Sequence, residues 1–121
     1  MKENVLLNKS FDFAIRVVAA RKFLVDVKKE YVLSKQLLRS GTSIGANAEE
    51  AVGAHSTADF LSKLSIAYKE ARETKYWIRL LAATEYFEQS HADSLLGDNE
   101  ELLRIIGKIQ ITTKVNSVRN S

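Results

Sequence analysis

At 121 residues the chain has the length of one ordinary domain, and its 45% hydrophobic content lets it bury a core unaided. It has no cysteine, which excludes disulfides, thiolate zinc sites and a cysteine nucleophile, and no proline, which removes the usual helix breakers. A net charge of +3, from 18 basic and 15 acidic side chains, is a mild excess, not the strong basic field of an evident nucleic-acid binder.

Residues 1–9 carry no periodicity and read as a frayed start. Their apolar patch, Val5-Leu6-Leu7, is shorter than the roughly 7–15-residue apolar core of a secretion signal. Charged residues also interrupt every candidate for the ~18 apolar residues of a membrane span. A cytoplasmic location without membrane association is expected. Ser10 reads as the N-cap of a first helix over 11–28, with Asp12 complementing the helix dipole in the first turn. Two apolar stripes run along it. Phe13, Val17, Ala20, Leu24 and Val27 form one, and Phe11, Ala14, Ile15, Val18 and Val25 form the other. One stripe suffices for a surface helix, so the second predicts a contact beyond the chain's own bundle.

Lys28-Lys29-Glu30 makes the first break, and Ser34 reads as the cap of a second helix over 34–53. Its core stripe is Leu37, Gly41, Ile44, Ala48 and Ala51, beside a small polar stripe of Gln36, Ser40, Ser43, Asn47 and Glu50. Gly41 and Gly45 each cost a helix about 1 kcal/mol relative to alanine, so a neighbouring backbone is expected to come close there. Gly53-Ala54-His55 turns the chain, and Ser56-Thr57-Ala58-Asp59 matches a capping box.

A third helix is expected over 57–88, with core stripe Phe60, Leu64, Ala67, Ala71, Thr74, Ile78 and Leu81. A second line, Ile66, Glu70, Glu73, Trp77, Leu80, Thr84 and Phe87, is half apolar and half acidic, which suits a helix or subunit contact. Ser90-His91-Ala92-Asp93 reads as a cap for a fourth helix over 92–115, marked by Leu95, Leu102, Ile106 and Ile109. Gly97 before Asp98 is a candidate break with Asp98 as a fresh cap. Ile109, Ile111, Thr113 and Val115 alternate like a strand, but a lone strand would lack a partner, so helix is expected. The tail 116–121 reads as disordered. Four amphipathic segments on short turns predict an all-α, up-down-up-down antiparallel bundle forming a single domain over 1–121.

The sequence offers no catalytic or cofactor-binding constellation. A di-iron bundle needs two Glu-x-x-His pairs; Glu88-Gln-Ser-His91 is one, and His55 has Val52 three residues before it. Gly41, Gly45 and Gly53 lack the spacing of a phosphate loop. Acid–base work by Glu49, Glu50, Glu70 or Glu73 would require a pocket. The chain therefore reads as non-enzymatic, without metal or cofactor.

Two stretches carry a family resemblance: Ser43-Ile44-x-x-Asn47-x-x-Glu50-Ala51, and Ala67-Tyr-Lys-Glu-Ala-Arg-Glu-Thr-Lys-Tyr-Trp77. Together they resemble the bacterial four-helix-bundle proteins related to the 23S rRNA intervening-sequence-encoded proteins, over about Ser10 to Val115. One departure is Ala51, where many members have glycine. The resemblance implies a homopentameric ring with a central channel and no established biochemical activity. Through a relative, the accessory protein of diversity-generating retroelements, it also implies nucleic-acid binding by a basic surface.

Candidate phosphate contacts here are Arg16, Arg21, Lys22, Lys28, Lys29, Lys35, Arg39, Lys108 and Lys114. They form one patch only if the start of helix two lies beside the end of helix one; scattered solubilising charge is the alternative. Tyr31, Tyr68 and Tyr86 are spread apart, so backbone-led, weakly sequence-specific binding of RNA or DNA is expected. The competing class is a protein–protein adaptor or assembly module that serves a partner such as a reverse transcriptase. The polar motif residues Ser43, Asn47, Glu50, Glu70, Arg72, Glu73 and Trp77 are expected to be structural, with Glu50 meeting Arg72 within a subunit or across its interface.

Overall fold

Apolar residues recurring every three or four positions need one continuous surface to bury against, and four such stripes close on each other here. The computed structural model describes residues 4–119. It comprises α1 (Val5–Asp26), α2 (Leu33–Val52), α3 (Thr57–Ala83) and α4 (Gln89–Arg119), with no strand among the described residues. Each helix packs on its sequence neighbours, and α1 also touches α4, more loosely. Between α1 and α2, Val17 faces Gly41 and Ser10 faces Gly45; between α3 and α4, Gln110 bonds Ser65 and Lys75 pairs with Glu100.

The predicted core stripes are buried, including Phe13, Val17, Leu24, Leu37, Ile44, Leu64, Ile78 and Leu81, with Leu95, Leu102 and Ile106 from α4, but Val27 is 63% exposed because α1 ends one residue before it. Phe60 and Ile109 are half-buried against this core. Helix α1 comes close at both glycines, with its backbone at Gly45, where the Ser10 carbonyl oxygen would lie 3.4 Å from an added Cβ, but with the Val17 side chain and not the backbone at Gly41. A Cβ added at Gly41 would stand 2.7 and 2.8 Å from the Val17 methyls, and one at Gly45 would stand 3.3 Å from the Ser10 hydroxyl. The second stripe of α1 stays uncovered: Phe11 is 66% exposed and Ile15 55%.

Several helix ends differ from the sequence expectation. The first helix starts at Val5, where the Asn4 side chain accepts the Leu7 amide at 3.0 Å. Ser10 is therefore no cap; it is buried within α1, and its small size lets the α2 backbone approach at Gly45. Ser34 lies inside the first turn of α2, and the cap is Glu30. Its carboxylate accepts the amides of Val32, Leu33 and Ser34 at 3.2, 2.9 and 2.7 Å. Burial pushes the Glu30 carboxyl up, but these amide bonds and the Ser34 hydroxyl outweigh it, so its pKa is lowered.

The Ser56 cap forms as expected, with its hydroxyl accepting the Asp59 amide at 3.0 Å. The third helix stops at Ala83, not near 88. Glu85 turns left-handed (φ 70°), so Tyr86 N–H reaches Leu81 C=O and Glu85 N–H reaches Ala82 C=O, which closes a Schellman end. Phe87 thus lies in the following turn, buried, not on the α3 line. The fourth helix starts at Gln89 and runs unbroken through Gly97, so neither Ser90 nor Asp98 caps it. Residues 116–119 continue α4, while 1–3 and 120–121 of the expected frayed start and tail lie outside the described residues.

Candidate nucleic-acid interface

The cations singled out in the sequence do not gather into one patch. Lys9 pairs with Glu101 at 3.3 Å, which sets α1 against α4. At 1.5 Å per residue, Lys108 lies ~10 Å along the bundle on one side of that pair, and the end of α1 ~25 Å on the other. Lys28, Lys29 and Lys35 are exposed at that far end, whereas Lys108 and Lys114 are exposed at the near one. Two other candidates are already engaged. Arg16 binds Asp98 and the Ser94 hydroxyl of α4, and Arg39 binds Glu70 and Glu73 of α3. Lys22 edges the uncovered α1 stripe, Lys28 sits 5.9 Å from the Phe23 ring centre, and Arg21 has a buried Nε without a hydrogen-bond partner among the described residues.

Three of the motif residues, Glu70, Glu73 and Trp77, gather around Arg39 on the α2–α3 seam. Glu73 accepts both Arg39 and the Trp77 indole N–H, the latter at 2.9 Å, and Glu70 takes the other arm of Arg39 at 3.2 Å. Ser43 donates to the Arg39 carbonyl and Asn47 to the Ser43 carbonyl, so both bond along α2 itself. Thr74 donates to Ser40 across the buried seam at 2.9 Å. Glu50 and Arg72 do not meet within the chain. Both are exposed, because Arg72 lies on the flank of α3 that faces α4, away from α2.

That second flank forms a strongly charged concavity. Tyr68, Arg72, Tyr76 and Arg79 recur at spacings of four, four and three, so they share one face of α3. With Lys75, and with Glu100, Leu103 and Arg104 of α4, they line an open groove of about 410 Å³. Lys75 is neutralised by Glu100 at 3.4 Å. Arg72, Arg79 and Arg104 are exposed and make no ion pair among the described residues. Four cations against one carboxylate concentrate a +3 excess in this groove, equal to the net charge of the whole chain. The Tyr68 ring lies half-buried at the end of the groove near Gly107, and Tyr76 is 54% exposed with its ring edge-on to Trp77 at 5.0 Å.

Helix α3 therefore carries opposite flanks, acidic toward α2 and basic toward α4. Sequence reading found the acidic line and missed the basic one, although its helical spacing was legible. No group of three or more His, Cys, Asp or Glu among the described residues could hold a metal.

The family model for 23S rRNA-intervening sequence protein matches residues 2–108. The chain belongs to that family. A solved structure of a protein of unknown function from the S23 ribosomal protein family of Bacteroides thetaiotaomicron VPI-5482 is 51% identical. The alignment covers 88% of this chain and 98% of that one, with a TM-score of 0.87. No curated protein matches. Every residue lining the basic groove falls inside the span shared with the intervening sequence protein family, whereas Lys114 and the last turns of α4 fall outside it. No helix among the described residues is long and apolar enough to cross a membrane.

Proposed function

We propose that this chain is a non-enzymatic helical-bundle protein whose α3–α4 groove binds the phosphate backbone of RNA or DNA. One observation carries the reading: Arg72, Arg79 and Arg104 converge on a single groove and make no ion pair among the described residues. Arginines held in this way are placed for charge-assisted bonds to phosphate oxygens, and such bonds position a strand without reading its sequence. The up-down-up-down order of the bundle, a cytoplasmic setting and a homopentameric ring belong to the same reading. Lys28, Lys29 and Lys35, at the other end, become secondary contacts, and Lys108 extends the Arg104 face of α4 by one turn.

A second reading has its own support. The uncovered Phe11, Ile15 and Val18 stripe suits assembly, and a ring built through it could serve as an adaptor for a protein partner with no nucleic acid involved. Salt separates the two. Three phosphates neutralised per subunit give a slope of log affinity on log salt of about −2 for a single strand, a loss of about 20-fold between about 50 and 200 mM. Fluorescence anisotropy with a labelled oligonucleotide measures it, and no binding at low salt would favour the adaptor.

A further inference from the structure

The groove alternates charge and ring along one helix face, and that order narrows what it takes. Tyr76 stands between Arg72, four residues before it, and Arg79, three residues after it. The two arginines are thus seven residues apart, ~10 Å at 1.5 Å per residue, with an exposed aromatic ring midway. Arg104 adds a cation from the α4 wall. Resting on the backbone-binding reading above, we propose that the groove takes single-stranded nucleic acid, with phosphates on Arg72 and Arg79 and an unpaired base stacked on Tyr76.

A duplex satisfies the arginines but keeps its bases stacked on one another, which leaves the Tyr76 ring unused. Packed helices also stand only about 8–10 Å apart at their axes, so the furrow between them suits one strand. An acidic protein segment would likewise pair with the arginines without drawing on the ring. Stacking on an aromatic side chain is tolerant of sequence because every base has a π-face.

The test is anisotropy at low salt with four labelled 12-mers: oligouridine, oligodeoxythymidine, a DNA duplex and an abasic single strand. The expected result is that either or both of the base-bearing single strands bind more tightly than the abasic strand and the duplex. Tyr76→Leu should weaken single-strand binding by about 5- to 150-fold, the equivalent of one base stack. Tyr76→Phe should keep it, and Arg79→Gln should weaken all four ligands alike. Circular dichroism of each variant checks that helix content is kept. Equal binding of all four ligands, with Tyr76→Leu silent and Arg79→Gln weakened, would overturn the single-strand assignment and leave backbone binding standing. Failure of every oligonucleotide to bind would overturn both.

Discussion

Replacing Gly41 by alanine sets two physical effects against each other at one site. In an open helix the change stabilises by about 1 kcal/mol. At Gly41 the new Cβ would stand 2.7 and 2.8 Å from the two methyls of Val17, a fully buried side chain. Valine is β-branched and holds essentially one rotamer in a helix, so it cannot swing aside, and forced overpacking costs about 1–3 kcal/mol. The clash is at the severe end, so a net loss of about 1–2 kcal/mol is expected, a fall in Tm of about 4–8 °C for a chain of this size. Gly97 is the internal control, because nothing lies within 4 Å of an added Cβ there. Gly97→Ala should gain about 1 kcal/mol and raise Tm by about 4 °C. Val17→Ala made together with Gly41→Ala should cost at least ~1 kcal/mol less than the two single losses summed, since the clash is gone in the double variant. Thermal unfolding followed by circular dichroism measures all of these at one fixed protein concentration, because Tm of any protein that self-associates depends on concentration. If Gly41→Ala raised Tm as Gly97→Ala does, the close packing of α1 on α2 would be refuted.

Three further outcomes follow from the caps and the uncovered stripe. Glu30→Gln should destabilise by about 1 kcal/mol at neutral pH through loss of the charged cap. Because the folded carboxyl titrates below its ordinary value, that contribution is complete above the unfolded pKa of about 4.3 and is lost as pH falls through the folded value. Wild type and variant should therefore converge in acid, and a gap that widened there in urea titrations would contradict the assignment. Glu85→Gly should raise Tm slightly, since glycine removes a left-handed strain of about 1–2 kcal/mol, offset in part by its greater freedom when unfolded; a clear fall would mean that the turn is held by the glutamate side chain. In light scattering the chain should give about 68 kDa, five copies of 13.6 kDa, and Phe11→Asp with Ile15→Asp should give monomers of unchanged helicity. A wild-type monomer at micromolar concentration would remove the assembly reading.

The core was legible in the sequence because burial imposes its own period: Leu64, Ala67, Ala71, Thr74, Ile78 and Leu81 are named by spacing alone and are all buried. The glycines were legible for a similar reason, since a helix that tolerates Gly41 signals a close neighbour. Caps were less so. Asn4 lies before a weakly patterned stretch, Glu30 caps from two to four residues away, and Glu85 takes a left-handed turn that no glycine announces. Asp98 resembles a cap in the sequence but binds Arg16, a partner on another helix. The groove was hidden for the same reason. Arg104 meets the Arg72 face only once α3 and α4 have packed, and the stretch around Arg72 stands out in the sequence for its motif, not for its free charge.

The salt dependence of oligonucleotide binding by two triple variants tests the central claim most directly. One removes the groove cations (Arg72→Gln, Arg79→Gln, Arg104→Gln), and the other removes the far-end cluster (Lys28→Gln, Lys29→Gln, Lys35→Gln). Every phosphate left without its cation should flatten the slope of log affinity on log salt by about 0.7 for a single strand. The groove variant is predicted to lose about 2 from the slope, with little left of low-salt binding, while the far-end variant keeps most of its slope. A groove variant with wild-type affinity and slope, beside a far-end variant that no longer binds, would contradict the assignment.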